Sequence, residues 1–420
     1  MGEAPSVIFI ANVLVMNGGS TFILRMAREY SRRGRKCAVL LLRDLWDPDL
    51  LSEIEKHVVV IRLSDFQISG GRFSLGLAGV FAPVNWRGLL KALRPFGEHV
   101  HAMSIFGLVI ALRLSRADAA IRPTVGIYHQ NEFIFRASRF FFPKFAQMIF
   151  TEMPADNIVF FNESSRDNYA SCFHQDYSAS SLLPIGVELE TVATPRLADG
   201  CKIVSVGNLE EFKTYNRHMI TVVAELKERL PKITYHIYGS GPTENELRQY
   251  ATDLNVEDRV QLHGYLEYSK FSEIIADCDL FVGSGTALVE AAAAGRPALI
   301  GIESIEIPKT YGYLSDIEGF SYNEMRPDAQ LMPIAPLVEK LFSNKEHWAN
   351  VANACECKAQ EFSIQRTIEG FDTLFHAAKR QPVRLTTVQI FRMGCSAIMM
   401  RLSEKLRLTE PFGNRRNQSY

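Results

Sequence analysis

The stretch FVGSGTALVEAAAAGRPALIG, residues 281–301, decides how this chain is read. An apolar run stops at three small residues, Gly283, Ser284 and Gly285, and a helix-forming run follows that carries one carboxylate, Glu290, among alanines. A short apolar run bounded by turn residues fits a parallel strand buried on both faces. Glycines at its carboxyl end let the backbone approach a ligand closely, and Thr286 is expected to cap the helix behind them. The free N–H groups and partial positive charge at that helix's amino terminus suit a phosphate. An exposed anion gains only about 0.3–1 kcal/mol there, so a diphosphate needs a cationic partner as well. Glu290 lies one turn beyond Thr286 on the same face, where its carboxylate can accept hydrogen bonds from a sugar diol.

The same alternation extends to both sides of this stretch. CKIVSVG (201–207), ITYHIYGSGP (233–242), RVQLHGY (259–265) and DLFVG (279–283) read as strands, with helical runs over 217–231, 243–255 and 271–278. Nearer the amino terminus, SVIFIANVLVM (6–16) reads as a strand, NGGS (17–20) as a glycine turn, and TFILRMAREYSRRG (21–34) as a helix ending at glycine. KCAVLLL (36–42), HVVVIRL (57–63), TVGIYH (124–129) and NIVFFN (157–162) continue the strands. Strands separated by helices at this spacing predict an α/β protein of two Rossmann-like, doubly wound domains. LLPIGVELE (182–190) reads as the linker, giving domains over 1–187 and 188–378, with an amphipathic helical extension and polar tail over 379–420.

Composition narrows the function classes. The 420 residues suit two cores of ordinary size, and 47% hydrophobic with 22% charged residues is globular composition. A net charge of −1 argues against a dedicated nucleic-acid surface. The seven cysteines are scattered without a CxxC pair, which fits reduced intracellular thiols and no metal site. The uncharged run Ala4–Leu24 lacks a basic flank and is interrupted by Asn12, Asn17, Gly18 and Gly19, so it reads as strand, loop and helix instead of a secretory signal. The start MGEAPS matches the loose myristoylation pattern, which is too short to weigh. No other uncharged run is long enough to span a bilayer, and the expected location is cytoplasmic, at most on the inner face of the membrane. Neither half carries a full dinucleotide fingerprint, against a nicotinamide enzyme. Two DxD triplets, Asp47-Pro-Asp49 and Asp277-Cys-Asp279, read as turn and strand-entry residues, not as a metal–nucleotide site.

These residues together resemble the retaining glycosyltransferases of the two-Rossmann GT-B architecture, specifically the family 4-like group of bacterial surface polysaccharide type. GSGTALVEAAAAGRPALIG is similar to the family's donor-site segment. VGNLEEFKTYN (206–216) resembles its diphosphate-binding strand and loop, HIYGSGP (236–242) its G-x-G-P turn, and NGGS the glycine loop beneath the transferred sugar. The resemblance implies two domains facing across a cleft, a UDP- or GDP-sugar donor, and transfer with retention and without a metal. It implies that Glu290 holds the ribose hydroxyls, that Lys213 neutralises the leaving diphosphate and that His129 lies near the anomeric carbon. Gly18, Gly19, Gly207, Asn208, Gly239, Gly241, Gly283, Ser284, Gly285 and Thr286 complete the implied donor contacts. Two family charges are missing: Asn208 stands where an arginine is usual, and Val282 where the first glutamate of the family's pair is usual.

The acceptor is expected to be a glycan or a polyprenyl-linked glycan. NEFIFRASRFFFPKFAQMIF (131–150) places aromatics between Arg136, Arg139 and Lys144, which suits either a helix resting on anionic lipid or a buried segment. TTVQIFRMGCSAIMMRLSEKLRL (386–408) is also amphipathic and basic, with a structural role favoured. Two other readings stay open: a sugar-nucleotide epimerase of the same architecture, and a non-catalytic binding partner in a glycan-assembly complex.

Overall fold

The computed structural model describes residues 5–68, 76–135, 138–189, 200–326, 329–380 and 383–409. They form two α/β units, one holding the described residues up to Leu183 and from Ile364 onward, the other Pro184–Ser363.

In the first unit β1 (Val7–Ala11), β2 (Cys37–Leu41), β3 (Val59–Arg62), β4 (His99–Ala102), β5 (Arg122–Ile127), β6 (Ile158–Phe160) and β7 (Ser181–Leu182) form one parallel sheet in the order β3-β2-β1-β4-β5-β6-β7. Val7 of β1 pairs in register with Cys37 on one side and His99 on the other. The fully buried runs VIFIA and CAVLL explain why these strands read as continuous hydrophobics, as parallel strands covered by helices do. In the second unit β8 (Lys202–Val206), β9 (Thr234–Tyr238), β10 (Val260–Gly264), β11 (Leu280–Gly283) and β12 (Ala298–Ile300) are parallel in the order β10-β9-β8-β11-β12. Each order reverses beside its first strand, which opens a crevice at the carboxyl ends of β1 and β4 and of β8 and β11.

Two expectations are corrected and one alternative is decided. Gly18 and Gly19 do not form a loop: they are the first turn of the helix Gly18–Arg32, whose N-cap Asn17 accepts a hydrogen bond from the Ser20 N–H at 2.9 Å. The domain boundary near 378 moves forward, because the helix Ile364–Ala377 belongs to the first unit. There the Phe371 ring meets Phe9 and His101 edge-on at 5.9 and 4.9 Å, and Arg35 pairs with Asp372 at 2.5 Å. Of the two readings left open for 131–150, the buried one holds for Phe133, Phe142, Phe145 and Phe150, which lie in the core of the first unit, so lipid is not what covers them. Of that stretch's basic residues, Arg136 lies outside the described residues.

Candidate functional site

Four turns converge at the carboxyl ends of the strands in the second unit. After β8 the chain passes Gly207, exposed Asn208 and Lys213 before the helix Tyr215–Leu226. Gly207 has φ +147° and its N–H donates to the Tyr238 carbonyl at 2.9 Å. A Cβ there would sit 2.8 Å from Lys213 Nζ, so the glycine is where the ammonium folds back against the strand end. Gly239, φ +150°, approaches so closely that a Cβ would lie 2.0 Å from the Gly207 carbonyl oxygen, and Gly241 follows in the same turn. Beneath them the Ser205 hydroxyl donates to the Val282 carbonyl at 2.6 Å, and the buried Tyr235 hydroxyl bridges Ser205 Oγ and the Asn216 side chain at 2.8 and 2.9 Å. This network fixes β8, β11 and the following helix relative to one another, so the loops above stand on a rigid base.

After β11 the chain runs through Gly283 and Ser284 to Gly285, φ +68°, and the helix Thr286–Ala293 starts there. Thr286 is the first helical residue and not the cap; the N-cap position is Gly285, which has no side chain to offer. The Gly285 N–H donates instead to Asn323 Oδ1 at 2.7 Å, and the Tyr322 hydroxyl donates to the Gly285 carbonyl at 3.1 Å. Glu290, partly buried, stands one turn along this helix. Val282 is fully buried in β11, so the position of the missing glutamate is a core position here.

After β12 comes a residue that the sequence reading passed over. Glu303 Oε1 accepts from the Ser284 hydroxyl at 2.8 Å, and the Glu303 N–H donates to the Asn323 carbonyl at 2.9 Å. Next to it the Ser304 N–H donates to the Phe212 carbonyl at 2.7 Å, which binds this loop to the one carrying Lys213. Burial pushes the Glu303 carboxyl above the ordinary carboxylate range; the Ser284 hydrogen bond and the Lys213 charge act in the opposite sense. A carboxylate directly past a parallel strand was the available signal, because that is where open α/β sheets bind ligands. The corner therefore offers an ammonium, the turn that opens a helix and the Glu303 carboxylate, with Glu290 one turn along that helix, a set able to hold an anion beside a hydroxylated group.

Residues 193–304 match the glycosyl transferases group 1 family. The matched segment contains the whole corner from Gly207 to Glu303 except the Tyr322 and Asn323 contacts. A curated relative, the GtfA subunit of a UDP-N-acetylglucosamine–peptide N-acetylglucosaminyltransferase from Streptococcus pneumoniae, is 35% identical over 89 residues, 20% of this chain and 17% of that protein. Among solved structures, HepE of Anabaena in complex with UDP superposes with a TM-score of 0.62 at 18% identity, covering 86% of this chain and 97% of that one. WaaG, a glycosyltransferase involved in lipopolysaccharide biosynthesis, superposes with a TM-score of 0.55 at 13% identity, covering 87% and 98%. The fold is thus the two-Rossmann GT-B fold.

The remaining expected site residues lie in the first unit. His129 is exposed just past β5, where its carbonyl accepts from the Glu132 N–H at 3.0 Å. Gly18 and Gly19 begin the helix after β1; a Cβ on Gly18 would meet nothing within 4 Å. Asp47 is an N-cap accepting from the Leu50 N–H at 3.0 Å, and Asp279 accepts from the Lys202 N–H at 2.9 Å while Asp277 pairs with the Lys202 ammonium at 2.6 Å. Both DxD triplets are thereby used structurally. Among the described residues no group of three or more His, Cys, Asp or Glu is placed to hold a metal, and no helix is long and apolar enough to cross a membrane.

Proposed function

We propose that this protein is a glycosyltransferase that moves a sugar from a nucleotide-diphosphate sugar to a glycan or lipid-linked glycan, with retention, in surface polysaccharide assembly at the cytoplasmic side of the membrane. The observation that carries the proposal is that Glu303 takes a hydrogen bond from Ser284, in the turn that starts the helix Thr286–Ala293, and also feels the charge of Lys213, whose ammonium folds against Gly207. In this reading the Lys213 ammonium and the partial positive charge at that helix start receive the charge that develops on the leaving diphosphate, usually the largest catalytic contribution. Glu290 binds the ribose hydroxyls. Glu303 supplies the carboxylate that Val282 cannot and accepts a hydrogen bond from the donor sugar. His129 takes the place beside the anomeric carbon, and the side-chain-free Gly18 and Gly19 leave room for the sugar. The leaving phosphate helps to deprotonate the acceptor hydroxyl, and no metal is needed for charge already met by Lys213.

The HepE complex supports UDP as the first nucleotide to test, with GDP as the comparison. Purified protein should release UDP or GDP from its sugar donor, by transfer to acceptor or slow hydrolysis, with turnover kept in chelator. Loss of turnover in chelator, restored by Mn²⁺ or Mg²⁺, would overturn the metal-free mechanism. Absence of turnover and of nucleotide binding across both nucleotide series would overturn the function.

A further inference from the structure

We propose that the outward face of the helix Thr387–Lys405 seats the protein on an anionic membrane surface. This helix is apolar on two opposite sides. On one side Met393, Gly394, Ala397 and Met400 are buried in the first unit, with the Ser396 hydroxyl accepting from the Phe142 N–H at 2.9 Å. Gly394 packs so tightly that a Cβ would lie 2.9 Å from the Phe81 Cβ. On the other side Val388, Phe391, Met399, Leu402 and Leu406 are each more than half exposed, with exposed Cys395 among them. Their spacing of three and four residues puts them on one stripe. Among the described residues, thirteen large hydrophobic side chains are exposed, and six of them, these five and Leu408, belong to this helix and its end. Hydrophobics scattered singly over a surface need no explanation, whereas a contiguous stripe marks a contact surface.

Charge identifies the occupant. Arg384, Arg392, Arg401, Lys405 and Arg407 accompany the stripe, against a single acid, Glu404. Arg392 lies over the Phe141 ring at 4.2 Å, its guanidinium beside the stripe. A second copy of this helix would bring two cationic rims together, which is repulsive, while a bilayer bearing acidic headgroups complements them. Apolar side chains then enter the headgroup boundary and the long basic side chains reach outward to phosphates. The basic wall continues past the start of the helix into an open cavity of about 650 Å³ beside Arg116, Arg384 and Val388. The surface owes nothing to the donor corner, so vesicle binding and nucleotide binding fail separately.

Co-sedimentation of the full chain with vesicles tests this. The protein should pellet with vesicles containing phosphatidylglycerol and not with pure phosphatidylcholine, and added salt should release it. The variants Phe391→Gln/Met399→Gln/Leu402→Gln and Arg392→Glu/Lys405→Glu should each lose about tenfold or more in binding with melting temperature kept, since both sets point away from the core. Should the triple variant fail to fold, Phe391→Gln alone still predicts a measurable loss. Equal binding to both vesicle types, salt-insensitive binding, no binding, or variants that pellet like the parent would overturn the proposal. So would a dimer in sedimentation analysis that the triple variant dissociates, without vesicle binding by the parent, which would assign the stripe to a second copy.

Discussion

The Ser284 hydroxyl donates to Glu303 Oε1 at 2.8 Å and so ties the loop after β11 to the loop after β12. Ser284 lies in the glycine turn that precedes the helix Thr286–Ala293, and Glu303 also feels the charge of Lys213. One carboxylate thus connects the two groups assigned to the diphosphate.

Glu303→Gln removes that charge while keeping shape. Under the proposed role it lowers kcat about 10–100-fold, the worth of a hydrogen bond to a charged group at roughly 1.5–3 kcal/mol. Its stability effect has a definite sign. The folded carboxyl is raised above its ordinary value, so the folded state binds the proton more tightly than the unfolded one, and ionising Glu303 costs stability as pH rises. The variant should therefore match the parent near pH 4 and gain on it toward pH 7.5. Urea denaturation at both pH values checks this; a variant less stable at pH 7.5 than at pH 4, relative to parent, would contradict it.

Gly207→Ala places a methyl 2.8 Å from Lys213 Nζ at a φ of +147°. It should destabilise the second unit by about 1–3 kcal/mol and displace the ammonium, abolishing nucleotide-induced stabilisation. Lys213→Ala should leave melting nearly unchanged yet lower kcat by about 10²–10³. Thermal melts with and without UDP or GDP, together with turnover, separate the two.

The first unit should be acid-sensitive through His101. Its ring is fully buried, with Nδ1 3.0 Å from Thr124 Oγ1 and Nε2 3.0 Å from the Tyr128 hydroxyl, and burial lowers its pKa to about 3. His99 is lowered to about 4, by burial first and by Arg122 next. In each case the unfolded state takes up the proton first, so stability falls as pH drops below about 6.5, at about 1.4 kcal/mol per pH unit per histidine. His101→Phe should cost stability at pH 7.5 through its lost hydrogen bonds but show a shallower decline toward pH 5. An undiminished decline in the variant would refute the assignment.

How much of this was legible in the sequence depends on what each element buries. Strands such as VIFIA and CAVLL are covered on both faces and read directly as apolar runs. β4 did not, because His99 and His101 break the apolar pattern, and only the packing shows that His101 is a neutral core residue. The loops at Gly207 and at 283–286 were legible because a strand followed by glycines fixes where the loop lies, whereas Lys213 stood out only through the family resemblance. Glu303 was missed because its role depends on a loop meeting two others that are distant in the chain. The move of 364–377 to the first unit was hidden for the same reason: the partners of Phe371 lie hundreds of residues earlier. The aromatics of 131–150 and the stripe of 387–405 look alike as amphipathic sequence, and only burial separates the core segment from the exposed one.

The most direct measurement is a structure of the protein soaked with UDP, or with GDP if UDP does not bind. The β-phosphate should lie within hydrogen-bond reach of Lys213 Nζ and of a backbone N–H in the first turn of the helix Thr286–Ala293, with a ribose hydroxyl on Glu290. A nucleotide bound away from this corner, or Lys213 turned from the phosphate in the complex, would contradict the account.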